Sequence, residues 1–118
     1  MKKVALVTGA SSGIGKETSK MLIADGYTVY VAARRLEKMA DLAQLGAHLL
    51  ELDLANDASI KKAVETLLAQ EQRVDVLVNN AGYGSYGALE DVPLEEAKYQ
   101  FEVNIFGLAR LTQLLLPT

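Results

Sequence analysis

The segment Val4-Ala5-Leu6-Val7-Thr8-Gly9-Ala10-Ser11-Ser12-Gly13-Ile14-Gly15 constrains this chain more than any other. An apolar run of strand length passes directly into a glycine-rich turn, and the residues beyond it take up helical spacing. Glycines let the backbone turn sharply and approach a ligand with no Cβ in the way. The first turn of the helix then offers unpaired N–H groups and the positive end of a dipole to an anion. That order suits a phosphate-binding corner. The spacing Gly-x-x-x-Gly-x-Gly departs from the common dinucleotide spacing Gly-x-Gly-x-x-Gly, so the glycines alone are weak evidence. A purely structural strand–helix turn is the plain alternative.

The rest of the chain repeats this layout. Short apolar runs centre on Val4–Val7, Val29–Ala33, Leu49–Leu52 and Val74–Val78. They do not alternate strictly, which fits parallel strands covered on both faces. Between them the period changes. Ile14, Thr18, Met21 and Leu22 fall at i, i+4, i+7 and i+8, and Ile60, Val64, Leu67 and Leu68 repeat the spacing. Gly26 marks the end of the first helix, and Asn56 or Asp57 caps the third. Leu36 to Leu45 reads as a shorter helix with Gly46 behind it. No linker or low-complexity stretch intervenes, so residues 1–118 are expected to form one α/β domain around a doubly wound parallel sheet.

The last helix, Phe101 to Leu116, is apolar on more than one face. Phe101, Ile105, Leu108 and Thr112 share one face, while Val103, Phe106, Leu114 and Leu116 lie elsewhere. Such a helix expects burial on two sides. One side packs on the sheet; the other covers either a second copy of the chain or further parts of a longer one. The open edge of the fourth strand invites pairing as well. Self-association is expected through one of these two surfaces.

Composition removes whole classes of function. A net charge of −3 with no basic run leaves no footprint for nucleic acid. With no cysteine, disulfides, thiolate nucleophiles and sulfur-ligated metals are excluded. No run approaches the ~18 apolar residues of a membrane span, and the amino-terminal segment lacks the long apolar core of a signal peptide. No membrane partner is expected, and a cytoplasmic location is the default.

Three later segments complete a pattern with the glycine turn: Leu52-Asp53-Leu54, Asn79-Asn80-Ala81-Gly82 and Val103-Asn104-Ile105. In order and spacing they resemble the short-chain dehydrogenase/reductase family in its non-extended form. The resemblance implies a Rossmann-type sheet with strand order 3-2-1-4 and a nicotinamide dinucleotide as cofactor. It implies that Gly9, Gly13 and Gly15 form the turn, with Ser11, Ser12 and Ile14 near the phosphates and the nicotinamide side. Ser11 and Ser12 also suit helix capping, and the same groups can serve both. Asp53 is implied to accept from the adenine amino group beside Leu54; a turn or helix-capping aspartate is the alternative. Asn80, Ala81 and Gly82 would close the other side of the groove, and Asn79 would tie neighbouring strands together.

The end of the second strand bears on cofactor choice. An acidic residue there accepts from the adenosine ribose in NAD-preferring enzymes, but this chain reads Ala32-Ala33-Arg34-Arg35. With Ala33 in the acid position nothing repels a 2′-phosphate, and Arg34 offers it paired, charge-assisted donors. NADP is expected over NAD. Two arginines on a solvated loop is the alternative.

Asn104 matches the family's asparagine that holds a water in a proton relay; an ordinary side-chain bond to backbone is the alternative. The family's serine and Tyr-x-x-x-Lys pair cannot be placed, since no tyrosine here is followed four positions later by lysine. Tyr83 and Tyr86 border either a substrate pocket or solvent, and His48 reads as structural. The chain therefore resembles the cofactor-binding front half of an oxidoreductase, truncated relative to the family. It is expected to be inactive alone in carbonyl reduction or alcohol oxidation. A non-catalytic nucleotide-binding or self-associating module is the other reading.

Overall fold

The computed structural model describes residues 2–10, 13–79, 94, 95, 98 and 106–116. Four strands form one parallel sheet: β1 (Val4–Thr8), β2 (Thr28–Ala33), β3 (His48–Glu51) and β4 (Val76–Val78). Their order across the sheet is β3-β2-β1-β4, as the resemblance implied. The helices are α1 (Gly13–Ala24), α2 (Ala40–Gln44), α3 (Asp57–Glu71) and α4 (Leu108–Leu115). A 3-10 turn at Leu36–Met39 leads into α2, so the expected helix over 36–45 is split.

Alternation along the inner strands divides the core into two layers. Val7, Val29 and Val31 face one side, where Met39, Leu42 and the partly buried Leu22 and Ile23 cover them. Val4, Leu6, Tyr30 and Ala32 face the other, under Ile60, Val64, Leu67, Leu111 and Leu115. Thus α1 and α2 cover one face while α3 and α4 cover the opposite one. Each apolar side chain removed from water contributes about 1.5–3 kcal/mol. This double coverage explains why β1 is buried at all five positions. By contrast β4 lies at the sheet's edge and is only half-buried throughout.

β4 is also shorter than the run Val74–Val78. Before it begins, Asp75 bonds Val4 twice: its amide donates to the Val4 carbonyl (2.8 Å), and its Oδ2 accepts from the Val4 amide (2.7 Å). That bond, with the neighbouring Arg73 guanidinium, holds the Asp75 carboxyl below the usual carboxylate range.

Two helix faces differ from the periodicity. Ile14 and Met21, placed on the inner stripe of α1, are 77% and 71% exposed. The buried positions are Gly15 and Ser19, with Leu22 and Ile23 partly buried. These keep the i, i+4, i+7, i+8 spacing but one residue later, because two small residues let the helix lie close to the strands. The face of α4 turned to the core is Leu111 and Leu115, while Phe106 and Leu116 are exposed. Residues 101–105 of the expected helix lie outside the described residues. On α3 the expected stripe holds: Ile60, Val64 and Leu67 are buried, with Leu68 packed beside them.

Helix ends follow local rules. Gly26 has φ +90° after α1, and the amides of Tyr27 and Gly26 return to the carbonyls of Leu22 and Ile23. This pattern satisfies carbonyls the helix would otherwise leave open. Asn56 caps α3, its Oδ1 accepting from the Ser59 amide at 3.1 Å. Among the described residues no helix is long and apolar enough to cross a membrane.

Candidate nucleotide-binding site

Because all four strands are parallel, their carboxyl ends share one edge. That edge gathers Gly9 after β1, Arg34 after β2, Asp53 after β3 and Asn79 after β4. The order reverses direction at β1, between β2 and β4, and ligands of open α/β sheets bind outside such a switch point.

The β1–α1 corner is made by backbone. Gly9 (φ +66°) and Gly13 (φ +61°) adopt the left-handed region, where a side chain costs about 1–2 kcal/mol. Gly9 donates its amide to the Ala32 carbonyl at 3.1 Å, and Thr8 Oγ1 donates to the Val78 carbonyl at 3.3 Å. These two bonds fasten the end of β1 to both neighbours. A Cβ placed on Gly13 would meet nothing within 4 Å beyond its chain neighbours. Ile14 stands exposed beside it, while Gly15 is buried and its carbonyl accepts from Ser19 Oγ at 2.7 Å. Lys16 does not merely face solvent: it pairs with Asp41 of α2 at 2.5 Å, which lowers the Asp41 carboxyl below its ordinary range.

After β2, Ala33 is half-buried while Arg34 and Arg35 are exposed. After β3 the chain forms a tight turn around Asp53. Its Oδ1 accepts from the Ala55 amide at 3.0 Å, its carbonyl from the Asn56 amide at 3.0 Å, and its amide donates to Ser59 Oγ at 2.9 Å. Asp53 is therefore a turn aspartate, as the alternative had it. A carboxylate holds further acceptor sites beyond the one engaged by Ala55, so this role leaves the other compatible. Leu54 is buried beneath the turn.

The short chain dehydrogenase family matches residues 3–118. This chain belongs to that family. The short-chain dehydrogenase fold is shared with solved relatives at high similarity. An alcohol dehydrogenase from the archaeon Thermococcus sibiricus, complexed with 5-hydroxy-NADP, superposes with a TM-score of 0.91 at 32% identity, covering 99% of this chain and 53% of that one. A 3-ketoacyl-(acyl-carrier-protein) reductase from Brucella melitensis, complexed with NADH, also gives 0.91, at 34% identity, covering 98% and 49%. A probable short-chain type dehydrogenase/reductase of Helicobacter pylori is 41% identical over 114 residues. The chain spans 42% of that relative's length.

Of the residues the sequence singled out in this chain, Gly9, Gly13, Ile14, Gly15, Arg34, Asp53 and Leu54 stand at the shared edge or its turns. Ser11, Ser12, Asn80, Ala81, Gly82 and Asn104 lie outside the described residues, as do Tyr83 and Tyr86. Asn79 donates from Nδ2 to Thr112 Oγ1 of α4 at 3.4 Å. His48 stacks on Tyr30 with ring centroids 4.9 Å apart, the structural role expected of it. Sequence reasoning passed over Gly107 and Arg110, both of which reach the turn around Asp53. A glycine inside an apolar helix was the available signal.

Proposed function

We propose that this chain is the nucleotide-binding part of an NADP-dependent oxidoreductase that interconverts carbonyls and alcohols. The observation that carries this reading is the exposed Arg34 directly behind β2, next to Ala33 where a carboxylate would otherwise stand. The residues present suit the cofactor. The left-handed Gly9 and Gly13 suit the close approach of a pyrophosphate, with Ser11 and Ser12 between them in the sequence. Arg34 would hold the 2′-phosphate through charge-assisted bonds. Asp53 would accept from the adenine amino group, and Asn80, Ala81 and Gly82 would flank the adenosine.

When bound, a nicotinamide cofactor supplies the hydride. The chain's own share is to bind and orient it. Asn104 would join a proton relay through water in the family's manner. General acid–base assistance adds about 10²–10⁴-fold to such reactions, and the residues that give it in this family have no match in these 118. The chain by itself is proposed to bind cofactor and turn nothing over.

Calorimetric titration of the purified chain with NADPH and NADH tests this, beside the Arg34→Ala variant. NADPH should bind more tightly than NADH, and the substitution should remove that preference, about tenfold or more for one lost charge-assisted pair. Equal affinity for both in the parent chain would overturn the choice of NADP. Steady-state carbonyl reduction by the 118-residue chain would overturn the claim of inactivity.

A further inference from the structure

Helix α4 packs with α3 on one face of the sheet, and two residues at its amino-terminal end reach the segment that follows β3: Gly107, its cap, and Arg110. Phe106 and Gly107 form a widened helical turn leading into α4, and Gly107 is buried. A Cβ added to Gly107 would overlap the Leu54 carbonyl oxygen and come within 2.7 Å of its carbon and 2.8 Å of its Cβ. The two backbones are thus in direct contact, and no side chain of any size fits between them. Real Cβ atoms essentially never sit so close, and most of what obstructs here is backbone rather than a flexible side chain.

Three residues on, and so on the same face, Arg110 donates from Nε to Asp57 Oδ1 at 2.8 Å. Asp57 is the first residue of α3, directly behind the cap Asn56. The Arg110 guanidinium, more than any other group, holds the Asp57 carboxyl below its ordinary range, with Lys61 adding to it. Gly107 therefore presses on the turn at Leu54 while Arg110 grips it at Asp57. Between these contacts lie the Ala55 and Asn56 amides that Asp53 holds. Leu111 and Leu115 share the buried cluster with Leu54 and Ile60, which keeps the helix down on this ground.

We propose that α4, through Gly107 and Arg110, sets the conformation of the Asp53–Asn56 turn and thereby the affinity for the adenine end of a nucleotide. Both are positioning residues, acting through Leu54 and Asp57. The affinity clause rests on the reading of Asp53 given above; the conformational clause does not. The steric contact dominates, because an exposed ion pair is worth little by itself, whereas overpacking against backbone is costly.

Two readouts on the full 118-residue chain separate the clauses. The first is amide hydrogen exchange, with β1 as reference. In Gly107→Ala the Ala55 and Asn56 amides should exchange faster while β1 keeps its protection. Arg110→Ala should do the same more weakly, and Arg110→Lys should restore part of it. The second is calorimetric binding of 2′,5′-ADP, expected to weaken about tenfold or more in Gly107→Ala. In Arg110→Ala the loss should be about two- to fivefold.

Unchanged exchange at Ala55 and Asn56, or an equal rise throughout β1, overturns the proposal. So does a parent chain that binds 2′,5′-ADP with an affinity these variants leave untouched. A parent chain that does not bind 2′,5′-ADP overturns the adenine reading, and the exchange arm still decides the coupling. Should Gly107→Ala fail to fold, Arg110→Ala, Asp57→Asn and their double variant decide it. The three should match one another in exchange if the pair acts as a unit.

Discussion

The turn that leaves β1 and the turn that leaves β3 lie at the same edge of the sheet and are built in different ways. In the described part of the first, Gly9 and Gly13 take the left-handed region, and two bonds from Thr8 and Gly9 tie its start to the neighbouring strands. The second holds its course by bonds: Asp53 engages Ala55, Asn56 and Ser59, Asn56 caps α3, and Gly107 and Arg110 close it from outside. An anion met by backbone N–H groups needs room and a chain that can come close. A base met by a side chain needs that side chain held still. On the function proposed above, the two turns would divide these tasks between them.

Replacing Gly13 with valine attacks the first turn. A Cβ at Gly13 meets nothing within 4 Å beyond its chain neighbours, so the stability loss should be chiefly that of a strained backbone, about 1–2 kcal/mol. Binding of NADPH should disappear from calorimetry all the same. Retained binding would show that the corner does not need its conformation.

A control belongs away from both turns, and Tyr30 supplies one. Its hydroxyl lies 2.5 Å from Gln70 Oε1 and 2.8 Å from Glu71 Oε2, in the last turn of α3. Burial first, then the Glu71 carboxylate, push the phenol up to about 12 from an ordinary 10.0. The folded chain thus keeps its proton where the unfolded chain releases it. The stability this provides is complete below pH 10 and is lost as pH rises towards 12. Urea unfolding at a series of pH values should show a fall of about 2 kcal/mol across that window. Tyr30→Phe should flatten it, and neither turn should alter its exchange pattern.

The smallest change should come from Asn56→Ala. Losing one cap costs about 1 kcal/mol, readable as a shift in the urea midpoint. If the second turn depends on its bonds, the exchange at Ala55 should rise with it. If the turn is unmoved, the outside contacts from α4 carry more of the load than its own side chains.

The strands were legible to within a residue or two, because continuous apolar runs between glycines leave few other readings. The inner face of α1 was not. Gly15 and Ser19 count as neither apolar nor large, so periodicity passed to their neighbours Ile14 and Met21. On α4, too many apolar residues concealed the two that matter, Leu111 and Leu115. At the candidate site, the positions of Gly9, Gly13 and Arg34 could be read from spacing, since they lie in the turns that leave β1 and β2. The contacts of Gly107 and Arg110 join residues more than fifty positions apart, and local pattern carries no trace of them.

The pairing of Val4 with Asp75 has a consequence for how the chain is made. β1 is synthesised well before one of its two neighbours, since Asp75, which leads into β4, follows Val4 by 71 residues. At about 5–20 residues per second, that partner follows by roughly 4–14 s. Throughout that interval a strand that ends up buried at all five positions has one side unoccupied, a template for any other nascent strand nearby. The first of the four strands to be made is paired on both sides only once the fourth has followed, and a chaperone that shields five residues would have several seconds in which to matter.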